Sequence, residues 1–169
     1  MSAADLVAAL RAAATAPIAW AILTGQSTLA LIVFVVAALS DAVDGWLARR
    51  VGGLAPRGAF LDPMADKILV VGTLIALAIS GIGWPVTVVA ILVTVREATV
   101  TVARIRLYAR GIGLPADIIA KAKTVLEMAG VALIILDGRP WAVAGTGIVG
   151  VAFLIGLWSL PRYFTPRLA

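Results

Sequence analysis

The chain contains no cysteine and no histidine. The first absence excludes disulfides, thiolate metal sites and cysteine nucleophiles, and the second removes the commonest neutral-pH base and metal ligand. Charged residues are also scarce, at 14% of 169 residues, where a typical soluble domain has roughly 25%. Any acid–base or metal chemistry must therefore use the nine carboxylate side chains.

Long apolar runs are what the chain has in abundance, since hydrophobic residues make up 62% of it. A membrane-spanning helix needs about 20 such residues. Joints containing glycine and proline divide the sequence into six segments, at about residues 6–23, 27–50, 58–81, 84–110, 117–136 and 141–160. We therefore expect an all-α membrane protein with six transmembrane helices in one bundle. Residues 1–169 should form a single domain, with no room for a separate soluble catalytic domain.

The distribution of basic residues predicts the orientation of this bundle. If both termini lie on the same side of the membrane, the joints on the opposite side contain one basic residue, Arg139. The side of the termini then receives Arg49, Arg50, Arg57, Arg106, Arg110, Lys121, Arg162 and Arg167. By the positive-inside rule we expect both termini to be cytoplasmic. We further expect the protein to lie in the inner membrane of a prokaryote. The net charge of +5 then reflects cytoplasmic loops and anionic lipid, and we expect no nucleic-acid partner.

Four of the nine carboxylates fall within 26 positions: Asp41, Asp44, Asp62 and Asp66. The first two are three residues apart and the last two are four apart, so each pair lies on one face of its helix. Clustered carboxylates repel one another unless a cation joins them, and their oxygens are the ligands that Mg²⁺ or Mn²⁺ prefers. We expect two neighbouring antiparallel helices to gather the four around divalent cations, of which two fit the charge better than one.

Small residues and an arginine accompany these carboxylates. Gly45, Ala48 and Gly58 lie on the same two segments and leave space for a ligand beside the acidic side chains. Arg49 can place a guanidinium at the edge of the same cleft, where it suits a phosphate. Cations, small residues and arginine together indicate a site for a diphosphate.

Two alternatives remain open from the residues alone. The aspartates could be helix caps and ion-pair partners, with Asp66 paired to Lys67 or Arg57. Membrane carboxylates also mark cation pathways, so a metal-ion transporter is the second alternative. A pathway would place polar residues at successive depths on several helices, whereas these acidic residues gather at one end of two helices.

The residues occur in the order Asp41-x2-Asp44-Gly45-x2-Ala48-Arg49-x8-Gly58-x3-Asp62-x3-Asp66. This string resembles, without a gap or substitution, the signature of the CDP-alcohol phosphatidyltransferases, six-helix membrane enzymes that usually form homodimers. The resemblance implies a two-metal site that holds Mg²⁺ or Mn²⁺. One ion would be held by Asp41, Asp44 and Asp62, and the other by Asp41, Asp62 and Asp66. The same resemblance makes Asp66 the catalytic base and assigns Asp44, Gly45, Ala48 and Arg49 to the cytidine-diphosphate end of the donor.

The reaction that this resemblance implies is attack of an acceptor hydroxyl on the lipid-proximal phosphorus of CDP-diacylglycerol, with release of CMP. Two cations would stabilise the attacking and departing oxygens. A carboxylate base such as Asp66 suffices, so no histidine is needed. An active site at the cytoplasmic ends of the helices would leave the acyl chains among membrane lipids while the polar substrates arrive from water.

Basic residues of the fourth and fifth segments help to identify the acceptor, because a phosphorylated acceptor needs positively charged partners and a neutral alcohol does not. Arg96 lies in the middle of an apolar segment, where it should face a cleft or pair with Glu97 or an aspartate. Arg104, eight residues later, can point toward the same side of the helix. Lys121 and Lys123 point in nearly opposite directions on a helix, so only one should reach the site. The alternative for any of these except Arg96 is a collar that faces anionic lipid.

The pattern Arg96-Glu97, Arg104 and Lys121-x-Lys123-Thr124 is similar to that of the phosphatidylglycerophosphate synthase branch of the family. This similarity favours glycerol 3-phosphate as the acceptor. The chain departs from the branch at Glu127, where glutamine is common. Phosphatidylglycerol, which would give cardiolipin, is therefore the alternative acceptor, followed by inositol phosphate or serine.

Overall fold

The computed structural model describes the backbone of residues 3–51, 58–110 and 118–161, and the side chains of residues 6–40, 64–107, 109–110 and 119–161. The regular structure in these ranges consists of six α-helices: α1 (Ala3–Leu23), α2 (Ser27–Val51), α3 (Gly58–Ile79), α4 (Trp84–Ala109), α5 (Ile118–Ile135) and α6 (Arg139–Trp158). Each apolar segment of the sequence forms one helix, as predicted, with ends that differ by up to three residues.

Glycine and proline explain where several helices end and begin. Gly25 and Gly81 follow α1 and α3 with φ of 74° and 78°, a conformation that glycine adopts without a steric penalty. The last helix begins at Arg139, two residues earlier than the sequence predicts. Pro140 therefore lies in the first turn, where its missing N–H leaves no intrahelical hydrogen bond unmade.

Three helical segments are long and apolar enough to cross a membrane, among the residues that the structure describes: Leu6–Leu23, Trp84–Leu107 and Arg139–Trp158. Large apolar side chains cover the outer surface of the helices, for example Ile79 and Leu154, which are 68% and 63% exposed. Trp84 and Trp158 are also exposed at helix ends, as rings of the headgroup layer would be. A surface so rich in apolar side chains indicates a membrane protein.

The first helix holds the two carboxylate-bearing helices together. It packs extensively against both α2 and α3. The buried core between helices includes Ile18 of α1, Phe34 of α2, and Leu69 and Leu74 of α3. Other extensive contacts join α3 to α4 and α5 to α6.

Close approach of α5 and α6 depends on glycine. A Cβ atom added at Gly130 would lie 2.8 Å from the carbonyl oxygen of Gly145. One added at Gly145 would lie 2.9 Å from the backbone nitrogen of Ile134. The backbones of the two helices therefore touch at these positions, as small residues permit in membrane helices.

Candidate active site

The backbone places the four aspartates as their spacing predicts, two on α2 and two on α3. Because both stretches are helical, each pair shares a helix face. The side chains of Asp41, Asp44 and Asp62 lie outside the described residues, as do those of the predicted donor-binding residues Gly45, Ala48, Arg49 and Gly58. Asp66 is the member of this set whose contacts the structure describes.

A buried arginine of α1 contacts Asp66. The Arg11 Nη1 atom donates to Asp66 Oδ1 at 2.9 Å, and the two side chains are 1% and 16% exposed. The Arg11 Nε atom donates to the Ser40 hydroxyl at 3.4 Å, one residue before Asp41 on α2. Arg11 therefore connects α2 and α3 at the level of the carboxylates, although it was not predicted as a site residue. Its signal was available, since a cation inside an apolar segment of a membrane helix normally faces a polar partner.

A second group of charged side chains, here called the ionic cluster, consists of Lys67, Arg96, Glu97, Lys123 and Glu127. Glu97 lies at its centre, because its Oε1 atom contacts both Arg96 Nη1 and Lys123 Nζ. Its other oxygen, Oε2, lies 3.2 Å from Lys67 Nζ. Helices α3, α4 and α5 are thus joined through one carboxylate.

Arg96 extends the ionic cluster to α6. Its Nη2 atom donates to the Gly156 carbonyl at 2.9 Å and to the Ser159 hydroxyl at 3.1 Å. The guanidinium lies against Gly156 so closely that a Cβ atom there would be 3.0 Å from both Cζ and Nε. The predicted pairing of Arg96 with Glu97 is present. The Arg96 Nε atom is buried and has no hydrogen-bond partner within the described part of the chain.

The remaining cations predicted for the acceptor differ in position. Lys123 is buried in the ionic cluster and lies 3.0 Å from Glu127 Oε1, whereas Lys121 is exposed. This difference agrees with their opposite directions on α5. The contact between Lys123 and Glu127 is ionic, since Glu127 Oε1 accepts no hydrogen bond among the described residues. Arg104 has a buried Nε atom and lies close enough to Lys67 for the two cations to repel each other.

The charge of the ionic cluster is unbalanced. It contains three cations and two carboxylates. The ionic cluster therefore carries a formal surplus of one positive charge. Taking a charge out of water costs several kcal/mol even after relaxation, roughly 3–5 kcal/mol when its partner is missing. A surplus of this kind favours binding of an anion.

The described side chains also bear on the predicted metal site. Among them, no three acidic side chains come close enough to hold a metal ion together. Three of the four predicted ligands lie outside that set, so the metal site stays a prediction. The pairing of Asp66 with Lys67, one of the simpler alternatives, is not what the geometry favours, because the Lys67 ammonium contacts Glu97 and Thr101 instead.

Comparison with known proteins gives similar sequences in bacteria. The chain is 31% identical over 154 residues to a Salmonella typhimurium protein named CDP-diacylglycerol–glycerol-3-phosphate 3-phosphatidyltransferase, covering 88% of this chain and 81% of that one. An Escherichia coli K12 protein of the same name is 33% identical over 141 residues, covering 80% and 76%. A Mycobacterium tuberculosis H37Rv protein named probable phosphatidylglycerophosphate synthase is 38% identical over 125 residues, covering 73% and 58%.

The family comparison covers nearly the whole chain. The family model described as CDP-alcohol phosphatidyltransferase matches residues 1–158, from α1 through the end of α6. This range contains both carboxylate pairs and the ionic cluster. Because the matched family consists of enzymes, the match argues against the metal-ion transporter alternative. The chain belongs to the CDP-alcohol phosphatidyltransferase family.

Proposed function

We propose that the protein transfers the phosphatidyl group of CDP-diacylglycerol to glycerol 3-phosphate. The products are phosphatidylglycerophosphate, a phospholipid precursor, and CMP. The names of the similar bacterial proteins support this acceptor. The observation that carries the proposal is the surplus of one positive charge in the ionic cluster around Glu97, described above.

Charge balance distinguishes the candidate acceptors. A phosphate monoester such as glycerol 3-phosphate carries about −1.5 to −2 at neutral pH. Its negative charge would compensate the surplus charge of the ionic cluster. Phosphatidylglycerol is a diester with one negative charge and two free phosphate oxygens, whereas a phosphate monoester offers three acceptor oxygens to these cations. Serine has no net charge and would leave the surplus uncompensated. Arg96, Arg104 and Lys123 are therefore proposed as acceptor-binding residues, with the exposed Lys121 at the edge of the site.

The carboxylates are proposed to hold two divalent cations, Mg²⁺ or Mn²⁺. The donor set fits these ions, because it consists of carboxylate oxygens without nitrogen or sulfur. Asp41, Asp44 and Asp62 would hold one ion, and Asp41, Asp62 and Asp66 the other. When bound, such ions supply positive charge to phosphate oxygens that become more negative during transfer.

The reaction itself forms one P–O bond and breaks another. The acceptor hydroxyl oxygen bonds to the phosphorus that carries diacylglycerol, and the bond from that phosphorus to the CMP oxygen breaks. Asp66 accepts the hydroxyl proton, and Arg11 fixes the direction of its carboxylate through the contact at 2.9 Å. Gly45, Ala48, Arg49 and Gly58 are proposed to contact the cytidine-diphosphate part of the donor, which leaves as CMP.

The setting of this reaction is proposed from the basic residues and the apolar helices. All six helices cross the inner membrane as one unit of residues 1–169, with both termini and the active site on the cytoplasmic side. The acyl chains of the donor then stay in lipid while glycerol 3-phosphate arrives from the cytoplasm. The functional unit is a homodimer, an expectation from the family.

Measuring CMP release from purified protein tests the proposal. The protein in lipid-containing micelles receives CDP-diacylglycerol, Mg²⁺ or Mn²⁺, and one acceptor at a time: glycerol 3-phosphate, phosphatidylglycerol, inositol phosphate or serine. We expect fast release with glycerol 3-phosphate and much slower release with the others. Faster release with phosphatidylglycerol would identify a cardiolipin synthase and contradict the charge argument.

A further inference from the structure

Lys67 is a cation of the ionic cluster to which the proposed function gives no role. Its Nζ atom donates to the Thr101 hydroxyl at 2.8 Å and lies 3.2 Å from Glu97 Oε2. An ammonium group has three N–H donors. Thr101 and Glu97 use two of them, and the third has no protein partner among the described residues.

Lys67 is also the most accessible cation of the ionic cluster. Its side chain is 21% exposed, whereas those of Arg96 and Lys123 are 7% and 6% exposed. The Arg96 guanidinium already donates to the Gly156 carbonyl and to the Ser159 hydroxyl. An anion that approaches the ionic cluster therefore meets the Lys67 ammonium first.

The position of Lys67 along α3 relates it to the reacting end of the acceptor. It follows Asp66 directly, so their Cα atoms are about 3.8 Å apart. Adjacent helical residues point about 100° apart. Asp66 accordingly contacts Arg11 of α1, and Lys67 contacts Glu97 and Thr101 of α4. A short phosphorylated alcohol can thus present its hydroxyl to one residue and its phosphate to the next.

We propose that Lys67 binds the phosphate of the acceptor, and that Glu97 and Thr101 position its ammonium group for this contact. The inference rests on the proposed function, because it assumes an acceptor with a phosphate monoester. Glu97 and the Thr101 hydroxyl use two of the three N–H donors of Lys67. The third donor is left for the ligand.

Kinetics of Lys67→Met and Lys67→Arg test the contact. We expect Lys67→Met to raise the KM for glycerol 3-phosphate about tenfold or more, because a hydrogen bond between charged groups is lost. The KM for CDP-diacylglycerol should stay within about twofold, and kcat should fall by less than about threefold. Lys67→Arg keeps the charge and should recover most of the acceptor affinity.

A milder pair of variants covers the case in which Lys67→Met does not fold. Thr101→Val is nearly isosteric and removes the acceptor of the Lys67 hydrogen bond, so the KM for glycerol 3-phosphate should rise about threefold. Thr99→Val is the matched control on the same helix. The Thr99 hydroxyl is exposed and bonds to the Val95 carbonyl of its own helix, so this variant should keep the wild-type KM.

Two outcomes would overturn the assignment. One is an unchanged KM for glycerol 3-phosphate in folded Lys67→Met or in Thr101→Val. The other is an equal rise in KM for both substrates, which indicates a general loss of structure. These failures differ from failure of the proposed function, in which the wild-type protein itself would release no CMP with glycerol 3-phosphate.

Discussion

Replacing Asp66 by asparagine separates its proposed role in catalysis from its role in the fold. The Arg11 guanidinium that contacts it is almost completely buried, so the pair contributes to stability as well. Asparagine keeps an oxygen for the Arg11 Nη1 donor but removes the charge. A hydrogen bond to a charged group contributes about 1.5–3 kcal/mol and a neutral one about 0.5–1.5 kcal/mol. We therefore expect Asp66→Asn to lower the free energy of unfolding by about 1–2 kcal/mol.

Activity should fall much further than stability. A shift of roughly 2–4 °C in Tm per kcal/mol is usual for chains of about 150–250 residues, so the Tm in detergent should fall by about 2–8 °C. Loss of a positioned base typically costs about 10²–10⁴ in rate. CMP release should thus decrease by at least about a hundredfold at a temperature where the variant is fully folded.

Asp137→Asn is the matched control for this experiment. Asp137 is an exposed carboxylate in the joint between α5 and α6, and the same chemical change there should alter neither Tm nor turnover. Turnover by Asp66→Asn above a tenth of the wild-type rate would refute the role of Asp66 as base. An unchanged Tm would refute the contribution of the buried pair with Arg11.

Other substitutions give distinct expectations. Arg96→Ala should raise the KM for glycerol 3-phosphate more than that for CDP-diacylglycerol, and equal rises would argue for a purely structural arginine. Gly156→Ala should raise the acceptor KM about threefold, because the new methyl group lies 3.0 Å from the Arg96 guanidinium. Gly147→Ala, which has open space around its Cβ position, should keep the wild-type KM and gain up to about 1 kcal/mol of stability. Gly130→Ala should lower Tm by several degrees, since its Cβ would lie 2.8 Å from a carbonyl oxygen of α6, and an unchanged Tm would contradict this helix packing. Removing divalent ions with a chelator should abolish CMP release, and adding Mg²⁺ or Mn²⁺ should restore it.

The helices were predictable because their signals are local. Apolar runs of about 20 residues and the glycines at the joints determine where each helix lies, and the six segments of the sequence match the six helices. Shifts at the ends have local causes as well, such as Pro140 in the first turn of α6.

The contacts of individual charges were less predictable, because they depend on which helices pack together. The sequence allowed Asp66 to pair with its neighbour Lys67, but consecutive residues on a helix point in different directions. The structure directs Asp66 to α1 and Lys67 to α4. Glu97 was expected only as a partner of Arg96. Its central position requires side chains of both α3 and α5 to reach α4, which no local pattern encodes.

Identification of the lipid product tests the central claim most directly. Purified protein is incubated with CDP-diacylglycerol, divalent ions and isotopically labelled glycerol 3-phosphate, and the lipid fraction is analysed by mass spectrometry. The account predicts a labelled lipid with two phosphates and one CMP released per labelled molecule. CMP release without label in the lipid, or label absent while phosphatidylglycerol is converted to cardiolipin, would contradict it.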